Sequence, residues 1–365
     1  RARRPRRPGA MCFGGPVQRA SARDLEPDEF VRRFVAENTP VVLEDALSEA
    51  WSRALAWTPG GLATRAPAGA TVRVAPLLAD GRDKWVESSE LWPGASGREP
   101  LPGELRTDRV LAVAAARIEV PVEAFAASLR GEGPLPALYA DGASNLDHSF
   151  GFLARDLPGP PEVGGSLLYR RTDLWLGSRT LSTLHFDNYE NLFAQLVGEK
   201  EFLLCPPGDT PKLVDGRLRK AYAVWHEADG SFERTAQGLS EEAVLNYAAY
   251  DVDRPPEEYA ERAQRLRRTV VRVRPGEVLY LPFGWWHQVR AFPAEHGLCA
   301  SAAAFYEPFF VRLQPRALSR PGPLLPNPKY RKLCERLGLG DSDEEGAERP
   351  AAGAEGAGAD CKGRA

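Results

Sequence analysis

The stretch STLHFDNYENLFAQLVGEKEFLL, residues 182–204, decides how this chain folds. It is rich in residues that favour extended backbone and turns at Gly198-Glu199-Lys200, so it reads as successive strands of a sheet. His185 and Asp187 stand two apart on the first strand, and side chains two apart on a strand leave from the same face. Both can therefore reach one metal ion. About a hundred residues further on, RPGEVLYLPFGWWH, residues 274–287, opens with a reversal at Pro275-Gly276 and ends a second apolar strand on His287.

Two imidazoles and one carboxylate form the facial set that holds non-haem iron(II) and leaves three of six positions open. Those open positions suit a metal that takes a bidentate co-substrate and dioxygen together. A lone His-x-Asp carries little weight, because a histidine in an aromatic strand is ordinarily a satisfied core residue. Here the chain has only five histidines, and His287 closes a second strand, which favours the metal reading. Lys200, fifteen positions beyond His185, is either an ammonium that pairs with a carboxylate inside a barrel or a solvated hairpin lysine.

With 365 residues, 43% of them hydrophobic, and eight tryptophans, the chain can bury a full core. A barrel with helical additions of ~250–300 residues is a reasonable single domain. The net charge of −3 points to neither nucleic acid nor an acidic membrane surface. Five cysteines, Cys12, Cys205, Cys299, Cys334 and Cys361, are odd in number and contain no Cys-x-x-Cys pair. They read as reduced thiols of a cytoplasmic or nuclear protein, with Cys205 and Cys299 as small buried hydrophobes. No apolar run approaches the ~20 residues of a membrane-spanning helix. The opening RARRPRRP reads as a nuclear-localisation or nucleic-acid arm, a transit peptide, or upstream sequence, since the only methionine is Met11.

Along the chain, residues 1–23 read as a disordered basic arm, 24–340 as one domain, and 341–365 as a disordered acidic, Gly/Ala-rich tail. A helix carrying Phe30, Phe34 and Val35 on one face breaks at Asn38-Thr39-Pro40 into a strand. A second helix holds Trp51 and Trp57, read as core packing or as a surface between two copies in a homodimer. Residues 80–102 read as a loop, and PVEAFAASLRGEG as a helix stopped by Gly131. Between Gly208 and Arg267 lies an insertion with helix signals at SEEAVLNYAA and PEEYAERAQRLRR, and with a surface histidine, His226. After Pro326, PKYRKLCERLG reads as a last helix. The expected fold is mainly β with α additions: a double-stranded β-helix, or jelly roll, with N-terminal helices and a helical insertion between the metal-ligand strands.

HFDNYENLFAQLVGEKEFLLCPP (185–207) together with GEVLYLPFGWWHQV (276–289) resembles the JmjC-domain, cupin-type 2-oxoglutarate oxygenases, in the small hydroxylase branch that includes protein lysyl hydroxylases. LPALYADGASNLDHSFGFLARDLPGPP, DLWLGSRTLSTLH and FVRRFVAENTPVVLEDAL extend the resemblance over roughly residues 24–315. It implies that His185, Asp187 and His287 hold Fe(II), that Lys200 pairs with the distal carboxylate of 2-oxoglutarate, and that O2 is the second co-substrate. It also places Ser182 where the family often has a threonine hydroxyl on that carboxylate, Tyr139 near its carboxylate-binding tyrosine, and Asn191 at an asparagine near iron and co-substrate. A buried dianion needs such a fixed cation and hydroxyl donors. One position departs: where the family commonly carries an asparagine after the second histidine, this chain has CASAAAFY, with Ala302 and Ala303.

The resemblance makes a lysine-containing protein segment the expected substrate and hydroxylation the expected reaction, with release of succinate. Tyr189, Glu190, Trp285 and Trp286 are candidates for the substrate mouth, although packing is an equal reading for the tryptophans. Glu190 and Asp141 are candidates to receive an ammonium, or ordinary surface carboxylates. The rival substrates are an asparaginyl or arginyl side chain and a modified tRNA base, for which RNA would be the partner. Histone demethylation is less favoured, because no Cys/His-rich reader module accompanies the barrel. The rival outside enzymology is a cupin-like binding protein that keeps iron, manganese or zinc without turnover. Ala302 and Ala303 argue for it, and Lys200 argues against it.

Overall fold

The segment Glu190–Val197 lies at the centre of the molecule because both of its faces are buried. Leu192, Ala194 and Leu196 enter a core shared with the N-terminal helices, and Phe193 points the opposite way into a core shared with a second sheet. A strand of this kind needs a layer on each side. The computed structural model describes residues 15–95, 109–142, 145–312 and 324–339.

The lead-in supplies β1 (Gln18–Ser21), β2 (Val41–Glu44), β3 (Thr71–Pro76), β4 (Lys84–Ser88), β5 (Val110–Ala115), β6 (Ile118–Pro121) and β7 (Leu138–Asp141). The first half of the barrel follows as β8 (Tyr169–Gly177), β9 (Leu181–Phe186), β10 (Glu190–Val197) and β11 (Glu199–Cys205). The insertion holds β12 (Leu218–Trp225), β13 (Phe232–Glu233) and β14 (Leu239–Val244). β15 (Thr269–Val273), β16 (Val278–Leu281), β17 (Trp286–Phe292) and β18 (Cys299–Tyr306) complete the barrel, and β19 (Phe310–Arg312) pairs with β20 (Leu324–Pro326).

A nine-stranded sheet runs β1-β2-β16-β10-β18-β8-β7-β3-β6, and it faces a four-stranded sheet, β15-β11-β17-β9. Phe193, Leu279, Ala303 and Phe305 of the first meet Phe202, Leu204, Val271 and Val289 of the second, which is the packing of a cupin-like jelly roll. Gly198 makes the β10–β11 reversal at φ 67°, and a Cβ there would lie 2.5 Å from the carbonyl oxygen of Phe292. The turn therefore requires glycine.

The helix carrying Phe30, Phe34 and Val35 forms as an α-turn, Pro27–Phe30, that continues as a π-turn over Val31–Val35, and all three side chains are buried. The helix Val122–Leu129 stops before Gly131 at φ 71°, and Arg331–Leu337 is helical. Trp51 and Trp57 are buried within the chain, so core packing is their role. Cys205, Cys299 and Cys334 are buried free thiols, whereas Cys12 and Cys361 lie outside the described residues. Among the described residues no helix is long and apolar enough to cross a membrane.

Four expectations are corrected. The arm does not stay irregular through residue 23, because Gln18–Ser21 pairs in parallel with Val41–Glu44; residues 1–14 and the tail from 340 lie outside the described residues. The supposed loop 80–102 contains β4, whose Trp85 packs beneath a third sheet, while residues 96–102 are not described. SEEAVLNYAA is not a helix: its first half is β14, paired with β12, because hydrogen bonding to a waiting strand outweighs helix propensity. The insertion thus adds β12, β13 and β14 to the lead-in strands β5 and β4 as one layer, and its longest helix among the described residues is Glu257–Gln264.

Candidate metal centre and its cavity

His185 and His287 are direct partners across the β9–β17 ladder. Asp187 follows just past the end of β9, and its carboxylate Oδ2 lies 3.7 Å from His287 Nε2. The ligand atoms of His185, Asp187 and His287 all fall within 4.8 Å of one another. A backbone bond from Gly284 N–H to the Asp187 carbonyl, 3.0 Å, ties the loop before His287 to the turn that carries Asp187. Three side chains able to hold a metal, from two strands and one turn, converge on one point.

The ring orientations are set from behind. His185 Nδ1 donates to the Thr183 carbonyl at 2.7 Å, and His287 Nδ1 donates to the Trp285 carbonyl at 3.0 Å. A carbonyl only accepts, so each Nδ1 carries the proton and each Nε2 keeps its lone pair for a metal. Burial lowers the basicity of both rings. It brings His287 down to about 4, with His185 pushing the same way, so both rings are neutral at physiological pH.

A cavity of about 210 Å³ opens beside these ligands and is lined by Lys200, Tyr139, Ser182 and Asn191 as well. The structure therefore brings together every residue expected to hold a metal or co-substrate. Ser182 and His185, three apart, both face inward because a β-bulge shifts the register: Val289 pairs with Ser182 while His287 pairs with His185. Lys200 lies deeper. It pairs with Ala291, four residues beyond His287 on β17, or about 13 Å along the strand. A metal at one level and an ammonium below it match a short molecule that chelates at one end and carries a carboxylate at the other.

Lys200 is 2% exposed, with its Nζ 5.0 Å from the Phe193 ring centre and 6.0 Å from that of Tyr139. It makes no ion pair among the described residues, and burial brings its pKa down to about 8. Asn191 Oδ1 is likewise buried without a hydrogen-bond partner. An uncompensated cation and an unsatisfied amide in one cavity are costly unless a ligand meets them. The residues present thus fit a metal with a bound dicarboxylate.

Three candidates for the substrate mouth are corrected. Glu190 is 1% exposed and accepts hydrogen bonds from Tyr280 Oη at 2.7 Å, Phe283 N–H at 3.0 Å and Phe309 N–H at 2.8 Å. It shares the parity of Leu192 on β10, so it points away from the cavity. Trp286 neighbours His287 and so takes the opposite face, packing edge-on against Phe186 and donating to Thr210 Oγ1 at 3.0 Å. Trp285 is buried and donates to the Asn38 carbonyl at 2.9 Å. Tyr189 remains half-buried beside the cavity, with the Arg171 guanidinium 5.0 Å from its ring centre.

Several residues of the site were not foreseen. Lys84 Nζ sits 2.6 Å from Asp141 and 2.9 Å from Asp83, and Arg117 also pairs with Asp141. Burial works against the Lys84 charge, but Asp141 and Asp83 hold its ammonium well above the usual lysine range. Burial also raises Asp141, yet Lys84 and Arg117 outweigh it and hold the carboxylate well below its usual value. Asp141 is therefore committed to two cations of its own chain. Tyr247, from the insertion, stacks on His185 at 5.6 Å and 17°. Its segment lies along the outer edge of β9 through Phe186 N–H to the Asn246 carbonyl and Ala248 N–H to the Leu184 carbonyl, each 3.0 Å. Asp83, Lys84 and Tyr247 all come from segments misread as loop or helix, and only a strand reading of them could have brought them to the site.

The departure at Ala302 and Ala303 resolves by parity. Ala302 faces the outer helical core, whereas Ala303 faces the inter-sheet core next to Phe193. Neither alanine is among the residues lining the cavity.

A model of the cupin-like domain matches residues 27–312. The bifunctional peptidase and (3S)-lysyl hydroxylase JMJD7 of Homo sapiens is 31% identical over 272 residues, 72% of this chain and 77% of its own length. The lysine-specific demethylase JMJ32 of Arabidopsis thaliana is 32% identical over 145 residues, 37% of this chain and 41% of its own. HSPB1-associated protein 1 of Rattus norvegicus is 32% identical over 124 residues, 33% of this chain and 22% of its own. The chain belongs to the cupin-like JmjC family of iron(II)- and 2-oxoglutarate-dependent oxygenases.

Proposed function

We propose that this protein uses Fe(II), 2-oxoglutarate and O2 to hydroxylate a lysyl side chain of a protein substrate. The observation that carries the oxygenase reading is the pairing, in one cavity, of the His185–Asp187–His287 set with a buried Lys200 that makes no ion pair among the described residues. Support for a lysyl target comes from the likeness to the human lysyl hydroxylase over most of both chains.

When bound, the iron and its co-substrates supply an oxidant that puts one oxygen atom into a C–H bond while 2-oxoglutarate becomes succinate and carbon dioxide. The protein's work is placement. Lys200 holds the distal carboxylate, with the Ser182 and Tyr139 hydroxyls lining the same cavity. Phe193, Phe202 and Trp175 wall it with apolar surface and keep water from the reacting centre. Thr183 and Trp285 hold the two imidazoles through their carbonyls.

The test is succinate release by the iron-loaded protein with 2-oxoglutarate and oxygen, beside Asp187→Ala and Lys200→Ala, followed by mass spectrometry of lysine-containing peptides. Succinate from the wild type alone, with an added oxygen on lysine, is the expected result. Succinate with the added oxygen on asparagine, arginine or an RNA base would replace the lysyl reading. No succinate would leave a cupin-like binding protein.

A further inference from the structure

Arg171 stands on the cavity wall contributed by the large sheet. Across β8, β18 and β10 it shares a row with Phe305 and Asn191, one row nearer the Asp187 turn than Phe193, over whose ring Lys200 lies. Its guanidinium lies 4.7 Å from the Phe305 ring centre and 5.0 Å from that of Tyr189, two rings that meet edge to face at 5.5 Å. Its Nε donates to Asp173 Oδ2 at 2.9 Å. The Arg171 side chain is 33% exposed while that of Asp173 is 2% exposed. Aromatic stacking and the Nε anchor together fix the orientation of the group before any ligand arrives.

The other cations of the cavity are already matched. Lys84 is held by Asp83 and Asp141, and Lys200 lies at the depth of the co-substrate. No second carboxylate reaches Arg171 among the described residues; its other side-chain partner is the neutral Tyr189 hydroxyl, a contact that an incoming carboxylate would displace or share. A planar fork held in place is the arrangement that takes a carboxylate through two parallel hydrogen bonds.

We infer that Arg171 is a specificity-determining residue that receives a substrate carboxylate, from an aspartyl or glutamyl side chain close to the residue that is hydroxylated. The inference rests on the protein-hydroxylase reading above. It also relieves a difficulty of that reading. A lysyl target must bring its ammonium past this guanidinium, and a neighbouring acidic side chain offsets the repulsion.

The experiment uses the holoprotein, with Fe(II), 2-oxoglutarate and oxygen, on a library of lysine-centred peptides whose flanking positions are randomised. Hydroxylated members are read by mass spectrometry. The expected result is enrichment of Asp and Glu beside the modified lysine. Arg171→Gln should abolish that enrichment and raise KM for a Glu-flanked peptide about ten-fold or more, with little change for its Gln-flanked counterpart. Arg171→Lys, which keeps the charge but not the fork, should retain only part of the preference, and it serves if Arg171→Gln does not fold. Hydroxylated peptides without acidic enrichment, or a preference that survives both substitutions, would overturn the inference and leave the function intact. No hydroxylated peptide at all would overturn both.

Discussion

His185 and His287 face one another as partners of adjacent strands, their ring centres 4.3 Å apart and their planes tilted by 51°. Asp187, past the end of β9, adds the only charge of the set. Removing it leaves two neutral rings, so Asp187→Ala should weaken Co(II) binding by more than the ~10–100-fold typical of losing an outer partner of a metal ligand. Titration of the cobalt visible bands measures this directly. Unchanged affinity would dismiss Asp187 as a ligand.

Lys200 titrates near 8 in the folded protein, against 10.5 for the ordinary side chain. Because the folded pKa is the lower one, the unfolded chain binds more protons between those values, and the stability of the ligand-free protein should rise with pH through that window. Below it the buried charge costs roughly 3 kcal/mol. Lys200→Met should therefore stabilise the ligand-free protein at neutral pH and flatten the rise, while losing 2-oxoglutarate binding. Urea unfolding at several pH values tests the first part, and calorimetry the second.

Glu190 accepts from one phenol and two backbone N–H groups in a fully buried position. Glu190→Ala strands those neutral donors and should destabilise the fold by about 1–3 kcal/mol for each one left unsatisfied. Denaturation midpoints decide the matter. A variant of native stability with a changed substrate KM would return Glu190 to the substrate mouth.

Tyr247 stacks on His185, a proposed metal ligand, from a segment that is otherwise held to β9 by backbone bonds. Tyr247→Phe keeps the stack and should retain metal affinity, while Tyr247→Ala removes it and should weaken Co(II) binding several-fold, less than loss of a ligand. Equal affinities in both variants would show that the insertion does not support the metal centre.

The metal set was legible because its spacing is local chemistry: two residues apart on a strand is one face whatever the rest of the chain does. His287 followed from a strand that is apolar enough to declare itself, whereas the residues around Lys200 left a solvated lysine open and only the family resemblance pointed it into the barrel. Ser182 would have been turned from the cavity by simple alternation, and the bulge opposite Val289 brings it in. Glu190 and Trp286 failed for a related reason. Nearness in sequence to a ligand says nothing about parity, and parity sends both to the far face.

What the sequence by itself determined is the barrel strands and the candidate metal set His185, Asp187 and His287, since periodicity, turn residues and residue type act over a few positions. What only the tertiary structure decided is the company they keep. Lys84, Asp141, Arg171 and Tyr247 reach the cavity from β4, β7, β8 and the insertion through long-range strand pairing. Local propensity does not encode that pairing, because its free energy comes from hydrogen bonds and burial against segments far along the chain.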